Sequence, residues 1–212
     1  ASTEAAFVYC LSPVVARDYR VLEERLGLTP SDTRTVGSSI DLDQFRSLPE
    51  SEKKHDVVFL GRLHELKGVF DLPEIWAQVK TARPAAKLKV IGEGPHRTAL
   101  MDRFAACNLM DGVEFTGGIG EEDKNRLLAE ARLGLSLSSE EGWGLAVNEY
   151  LASELPVVAY DLPVFQEVFP DVLHSVSLGD KTAASRAILE LLADPVAREA
   201  MGRQGPGVGS TL

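Results

Sequence analysis

Glu141-Gly-Trp-Gly-Leu-Ala-Val-Asn-Glu149 is entered from an apolar run, Leu133-Gly-Leu-Ser-Leu137, and is followed by Pro156-Val-Val-Ala159. The flanking runs are short and apolar, as buried strands are, and residues 145–153 carry a helical pattern between them. A strand that opens through a glycine-flanked loop into a helix, with another strand after it, is the unit of a parallel sheet covered on both faces. The loop and helix also carry chemistry. Glu141 lies in the loop and Glu149 about a turn and a half into the helix, eight positions later. A helix start offers free N–H groups and the positive end of its dipole to a phosphate. A carboxylate on each side accepts hydrogen bonds from hydroxyls. The combination suits a ligand with phosphate in the middle and hydroxyl-rich groups at both ends, as in a nucleotide-sugar.

The same alternation runs outward in both directions. Residues 57–60, 88–91, 113–116, 133–137, 156–160 and 172–178 read as strands. Residues 69–81, 97–108, 121–131, 145–153, 163–169, 182–192 and 196–203 read as helices, the last with Pro195 at its start. The expected fold is α/β, a doubly wound, Rossmann-like parallel sheet. Ligands of such sheets sit beyond the carboxyl ends of the strands. Every candidate loop follows a strand and therefore falls on that edge. The first fifty residues differ. Residues 7–11 read as a strand, 13–26 as a helix stopped by Gly27, 33–40 as a second strand and 41–50 as a polar, turn-rich connector. The end, Gly205-Pro-Gly-Val-Gly-Ser-Thr-Leu212, is too rich in glycine for a helix and reads as a flexible tail.

At 212 residues and 44% hydrophobic, the chain can bury one good core. A net charge of −10 supplies no basic stripe for nucleic acid and no attraction to anionic lipid. Cys10 and Cys107 lack metal-ligand spacing and read as two buried free thiols of a reducing compartment. No stretch is apolar enough to span a bilayer and no leader pattern opens the chain, so the expectation is cytoplasmic. His55, His64, His96 and His174 show no zinc spacing and read as surface or helix-face residues. No metal site is expected. A nucleophile elbow and a Walker loop are both absent from the sequence.

Three further motifs accompany the paired glutamates: Gly61-Arg62-Leu-His-Glu-Leu-Lys67-Gly68, Ile91-Gly92-Glu93-Gly94-Pro95 and Phe115-Thr-Gly-Gly-Ile119. Together with Glu-x7-Glu and its Gly-Trp-Gly, and in this order, they resemble the retaining GT-B glycosyltransferases of the GT4-like group, across roughly residues 36–204. The resemblance implies one half of a GT-B fold. Residues 1–45 would be the end of an N-terminal acceptor domain and the crossover from it. Residues 46–204 would be the nucleotide-sugar-binding C-terminal domain, and 205–212 a tail. Some positions depart from the family pattern. Gly37-Ser-Ser-Ile-Asp41 replaces a Pro-Asn-Gly before the Asp, Ser153-Glu-Leu-Pro156 lacks the usual Gly, and Tyr160-Asp-Leu-Pro-Val-Phe-Gln-Glu167 replaces Gly-Gly-x-x-Glu while keeping the Glu.

Site roles follow from the same resemblance. Arg62 and Lys67, between Gly61 and Gly68, would hold and neutralise a diphosphate, a fork beside a mobile point charge. Gly92 and Gly94 would line the nucleotide pocket, and Ile119 would pack on the base while the backbone of Gly117 and Gly118 pairs with its edge. Glu149 would grip the ribose hydroxyls. Glu141 would serve the donor sugar catalytically, either holding a hydroxyl or stabilising positive charge at the anomeric carbon, together with the backbone of Gly142, Trp143, Gly144 and Leu145. Trp143 reads either as core packing or, lying between two glycines where the loop backbone must come close to something, as a neighbour of the sugar-diphosphate. Glu140 reads as a solvated acid, and Lys124 as a surface lysine at a helix start. The implied activity is hexosyl transfer from a UDP- or GDP-sugar to an acceptor hydroxyl, with retention and with no cofactor. This half alone would be weak or inactive without its partner, the N-terminal acceptor domain. Two other readings share the pocket: a GT-B nucleotide-sugar 2-epimerase, and a non-catalytic nucleotide-sugar-binding module.

Overall fold

Alternation along the central strand shows why the sheet is covered twice. Val57 and Phe59 join one apolar cluster and Val58 the other, so successive side chains of one strand feed opposite faces. The structure is a computed structural model, and it describes residues 7–38, 40–46, 52–206 and 208. In chain order the elements are β1 (Val8–Cys10), α1 (Pro13–Leu26), β2 (Thr33–Thr35), α2 (Asp43–Arg46), β3 (His55–Leu60), a 3-10 turn (Glu65–Lys67), α3 (Leu72–Ala82), β4 (Leu88–Ile91) and α4 (Arg97–Ala106). They continue as β5 (Val113–Gly117), α5 (Glu121–Ala129), β6 (Ala131–Ser136), α6 (Leu145–Ala152), β7 (Val157–Tyr160), α7 (Pro163–Val168), β8 (His174–Val176), α8 (Lys181–Ala193) and α9 (Pro195–Gly202).

Six strands form one sheet in the order β5-β4-β3-β6-β7-β8, every pairing parallel. The strand order reverses between β3 and β6, so the loops leaving these two strands run to opposite sides and open a crevice at their carboxyl ends. One face is packed by α3, α4 and α8 through Ile75, Trp76, Leu100, Phe104 and Ile188. The other is packed by α5, α6 and α7 through Leu128, Val147, Tyr150, Leu151 and Phe165. Each such side chain contributes roughly 1.5–3 kcal/mol by leaving water.

Element ends follow local chemistry. The helix expected over 97–108 stops at Ala106, because Asn108 takes the left-handed conformation (φ 55°) that ends helices. Cys107 is consequently exposed and only Cys10 is buried, which corrects the expectation of two buried thiols. The helix expected to reach residue 131 stops at Ala129, and Ala131 instead pairs with His55 as the first residue of β6. His55 is itself buried on a strand, not on a surface.

The N-terminal segment is a separate two-stranded parallel sheet, Val8 against Thr33, with α1 between its strands. Ser12 caps α1 and Gly27, at φ 65°, ends it. The strand expected over 33–40 is short, for Gly37 turns the chain at φ 67°. Within the turn-rich 41–50, Asp41 accepts from the Asp43 N–H at 3.0 Å and starts the single turn of α2, which buries Phe45; residues 47–50 lie outside the described residues. Of the expected tail, Gly205 lies against Leu151, and residues 207 and 209–212 lie outside the described residues. Among the described residues no helix is long and apolar enough to cross a membrane.

Candidate functional site at the switch point

Four strand-to-helix loops meet at the carboxyl edge, and their backbones are stitched together. Gly61 N–H donates to Ile91 O at 3.0 Å, and Gly92 N–H to Gly117 O at 3.1 Å. Leu63 N–H donates to Glu93 O at 2.8 Å, and Ser139 N–H to Leu66 O at 3.0 Å. Two glycines make this closeness possible. A Cβ on Gly92 (φ 136°) would stand 2.0 Å from Gly61 O, and one on Gly68 (φ 65°) would stand 2.0 Å from Leu137 O. Gly94 likewise abuts Leu63 O. These glycines therefore serve the approach of loop to loop, which fixes where the side chains between them stand.

The sequence-predicted residues fall into three groups. Lys67 and Glu141, from the loops after β3 and β6, meet as an ion pair at 2.5 Å across the crevice. The same Glu141 oxygen accepts from Ser138 Oγ at 2.8 Å, and the Glu141 side chain is only 13% exposed. Glu140 beside it is exposed, so Glu141 is the glutamate that turns inward. Arg62 stands apart: its side chain is exposed and forms no ion pair among the described residues. An ammonium has three donors, so Lys67 can keep Glu141 and still donate to a second anion.

Glu149 stands in the second group. Its Oε1 accepts from Lys124 Nζ at 2.5 Å, and Lys124 also binds Glu121 in its own helix. Lys124 is 7% exposed, which corrects the expectation of a surface lysine. Burial disfavours its charge, yet the hydrogen bonds to Glu121 and Glu149 outweigh it and hold the ammonium above its ordinary range. Tyr150, the next residue of α6, anchors this helix beneath the crevice. Its hydroxyl accepts from Leu60 N–H at 2.5 Å and donates to Leu135 O at 3.3 Å, and its ring lies where a Gly134 side chain would.

The third group is the loop around Trp143. The indole is 2% exposed and belongs to the apolar cluster under α7, so it does not line the crevice. Gly144 (φ 105°) is required by the Phe165 ring, 2.6 Å from where its Cβ would be. The close approach inferred from Gly-Trp-Gly is thus to core aromatics at Gly144. A Cβ on Gly142 would stand 3.6 and 3.8 Å from Leu11 and Val15 of the N-terminal segment, ordinary contact distances. The start of α6 at Leu145, which is 54% exposed, has no side-chain cap. On the far side, Gly118 N–H donates to Glu93 Oε1 at 3.3 Å and Ile119 is partly buried against the core. Lys124 and Ser138 were not singled out as site residues by sequence, since neither belongs to a motif. Only the neighbourhood of Lys124 to the 117–120 loop hinted at it. Among the described residues no His, Cys, Asp and Glu side chains gather as a metal site.

Fold and site together define a Rossmann-like α/β domain whose charged loops converge at the switch point. The chain belongs to the glycosyl transferases group 1 family, which it matches over residues 41–208. It is 30% identical over 145 residues to the phosphatidyl-myo-inositol mannosyltransferase of Propionibacterium freudenreichii subsp. shermanii, covering 66% of this chain and 35% of that protein. It is 31% identical over 153 residues to a GDP-mannose-dependent monoacylated alpha-(1-6)-phosphatidylinositol monomannoside mannosyltransferase of Corynebacterium glutamicum, covering 68% and 40%. The chain therefore spans well under half the length of these relatives. Among solved structures, S. aureus TarM, in a complex containing UDP, superposes with a TM-score of 0.83 at 20% identity, covering 95% of this chain and 40% of that one. WaaG, a glycosyltransferase involved in lipopolysaccharide biosynthesis, gives 0.83 at 16% identity, covering 100% and 60%. These likenesses are of fold, that of GT-B glycosyltransferases.

Proposed function

We propose that this chain is the donor-binding half of a retaining glycosyltransferase, taking a nucleoside diphosphate sugar for hexosyl transfer to an acceptor hydroxyl. The observation that carries the reading is that Glu141 and Glu149, in the loop and helix after β6, are each held by a lysine from another loop or helix. Negative charge grows on the diphosphate as the sugar–phosphate bond breaks. Lys67 and Arg62, which forms no ion pair among the described residues, are the cations that neutralise it, so the proposed reaction needs no metal. Glu149 takes the ribose hydroxyls. Glu141 with the backbone from Gly142 to Leu145 takes the sugar and its phosphate, while Gly92, Gly94 and Ile119 border the nucleotide. The acceptor is held by an N-terminal domain, of which β1, α1 and β2 are the end, and the protein works in the cytoplasm. This half alone binds nucleotide and transfers sugar weakly or not at all.

Isothermal titration of the chain with UDP, GDP, ADP and their sugars, beside Arg62→Ala and Glu149→Ala, tests the reading. One nucleotide binds, and each substitution weakens it by about 1–3 kcal/mol, the size of a lost charged hydrogen bond. Binding indifferent to both substitutions contradicts it.

A further inference from the structure

The most deeply set cation of the crevice belongs to none of the four motifs. Lys124 sits on α5, at the end of the 117–120 loop, and reaches across to α6, where it holds Glu149 Oε1 at 2.5 Å. Its side chain is 8% exposed and that of Glu149 18%. A lysine that only solvated a helix face would keep its ammonium in water, whereas this one gives up most of its hydration for two carboxylates. Glu121, the second of them, is 75% exposed, so the buried end of the bridge is at Glu149. Among the described residues Glu149 Oε2 takes no partner. The carboxylate is thus held by one oxygen and open at the other. A free glutamate loses rotamer entropy when a ligand orders it. One already pinned has met that cost on folding.

We propose that Lys124 is a positioning residue: by holding Glu149 from across the α5–α6 contact, it presets the carboxylate that takes the ribose hydroxyls of the donor nucleotide. This rests on the reading of Glu149 as the ribose ligand. It also joins two parts of the pocket, because α5 begins where the loop assigned to the base ends. A shift of that loop on base binding is then carried to the ribose grip through one side chain.

Titration of UDP and GDP, each beside its 2′,3′-dideoxy counterpart, reads the effect on the intact chain. Wild type prefers the ribo form of the nucleotide it binds. In Lys124→Met that preference falls about ten-fold or more, while affinity for the dideoxy form stays within about two-fold. Lys124→Arg restores part of the preference and Glu121→Gln keeps it. Circular dichroism checks folding, and Lys124→Gln, an amide of similar reach, gives the same loss of preference if the methionine variant does not fold. Were Lys124 only a packing element, both neutral variants would lower the melting temperature and leave the ribo-to-dideoxy ratio unchanged, which overturns the proposal. A preference abolished by Glu149→Gln yet indifferent to Lys124 overturns it alone and leaves the ribose assignment standing. No ribo preference in wild type removes the assignment of Glu149 and this inference together.

Discussion

The two ends of the six-stranded sheet carry similar side chains to opposite purposes. At the amino end, Lys89 on β4 pairs with Glu114 on β5, and Lys54 with Glu130 at 2.6 Å. Asp56 on β3 faces Arg132 on β6 at 3.4 Å and accepts from Lys87 N–H at 2.9 Å. These contacts join neighbouring strands in register and tie the sheet to itself. At the carboxyl end, Lys67–Glu141 and Lys124–Glu149 join loops and helices that arrive from different strands, and Arg62 is left over. What separates the ends is not the number of ion pairs. It is what they join: strand to neighbouring strand at one end, loops and helices that arrive from different strands at the other.

That contrast can be broken in several places, beginning with the largest effect. Trp143→Ala loses about 3–5 kcal/mol of stability, as a buried indole should, measured by chemical unfolding. A loss near zero with weakened nucleotide binding instead would return Trp143 to the crevice wall. Gly92→Ala forces a Cβ to 2.0 Å from Gly61 O and costs about 3 kcal/mol or more. Gly120→Ala, at φ −71° with open space around it, changes stability by less than about 1 kcal/mol. If the two alanines behaved alike, the stitched loops would not be holding the crevice.

The amino end responds to pH. Burial, then the nearby Lys89 charge, holds the His55 imidazole below its ordinary value of 6.5. The folded state keeps His55 neutral while the unfolded chain protonates it first. The stability it gives is therefore complete above pH 6.5 and is lost as pH falls from there through the lowered native value. His55→Gln flattens the unfolding free energy between those limits; an unchanged slope would assign the pH dependence to another group. The smallest effect belongs to Glu140. Being exposed, Glu140→Gln leaves nucleotide-sugar affinity within error, whereas Glu141→Gln changes it.

The sheet was legible where its strands are short apolar runs between turn residues, as β4 and β7 are, and β4 and α1 coincide with their sequence readings; β8, His174–Val176, has little apolar signal and is shorter than the 172–178 expected. The Glu-x7-Glu spacing singled out Glu141 over its neighbour, and the structure turns Glu141 inward and leaves Glu140 exposed. Lys124 had only its place beside the 117–120 loop as a signal, because its partner Glu149 comes from the next helix and a lysine after three acids looks solvated. Trp143 was open to two readings for a related reason. Glycines on both sides announce a close approach without saying to what, and at Gly144 it is the Phe165 ring. His55 and Cys107 went astray because burial belongs to the neighbours that cover a residue, not to the residue itself.

The most direct test is a map of amide chemical shifts in the labelled chain as UDP, and separately GDP, is added. The carboxyl-end crevice as a nucleotide site predicts shifts confined to residues 61–68, 92–95, 117–124 and 138–149, with the strand starts around His55, Asp56 and Lys89 silent. Shifts centred on that amino end, or spread with no focus at the switch point, would contradict it.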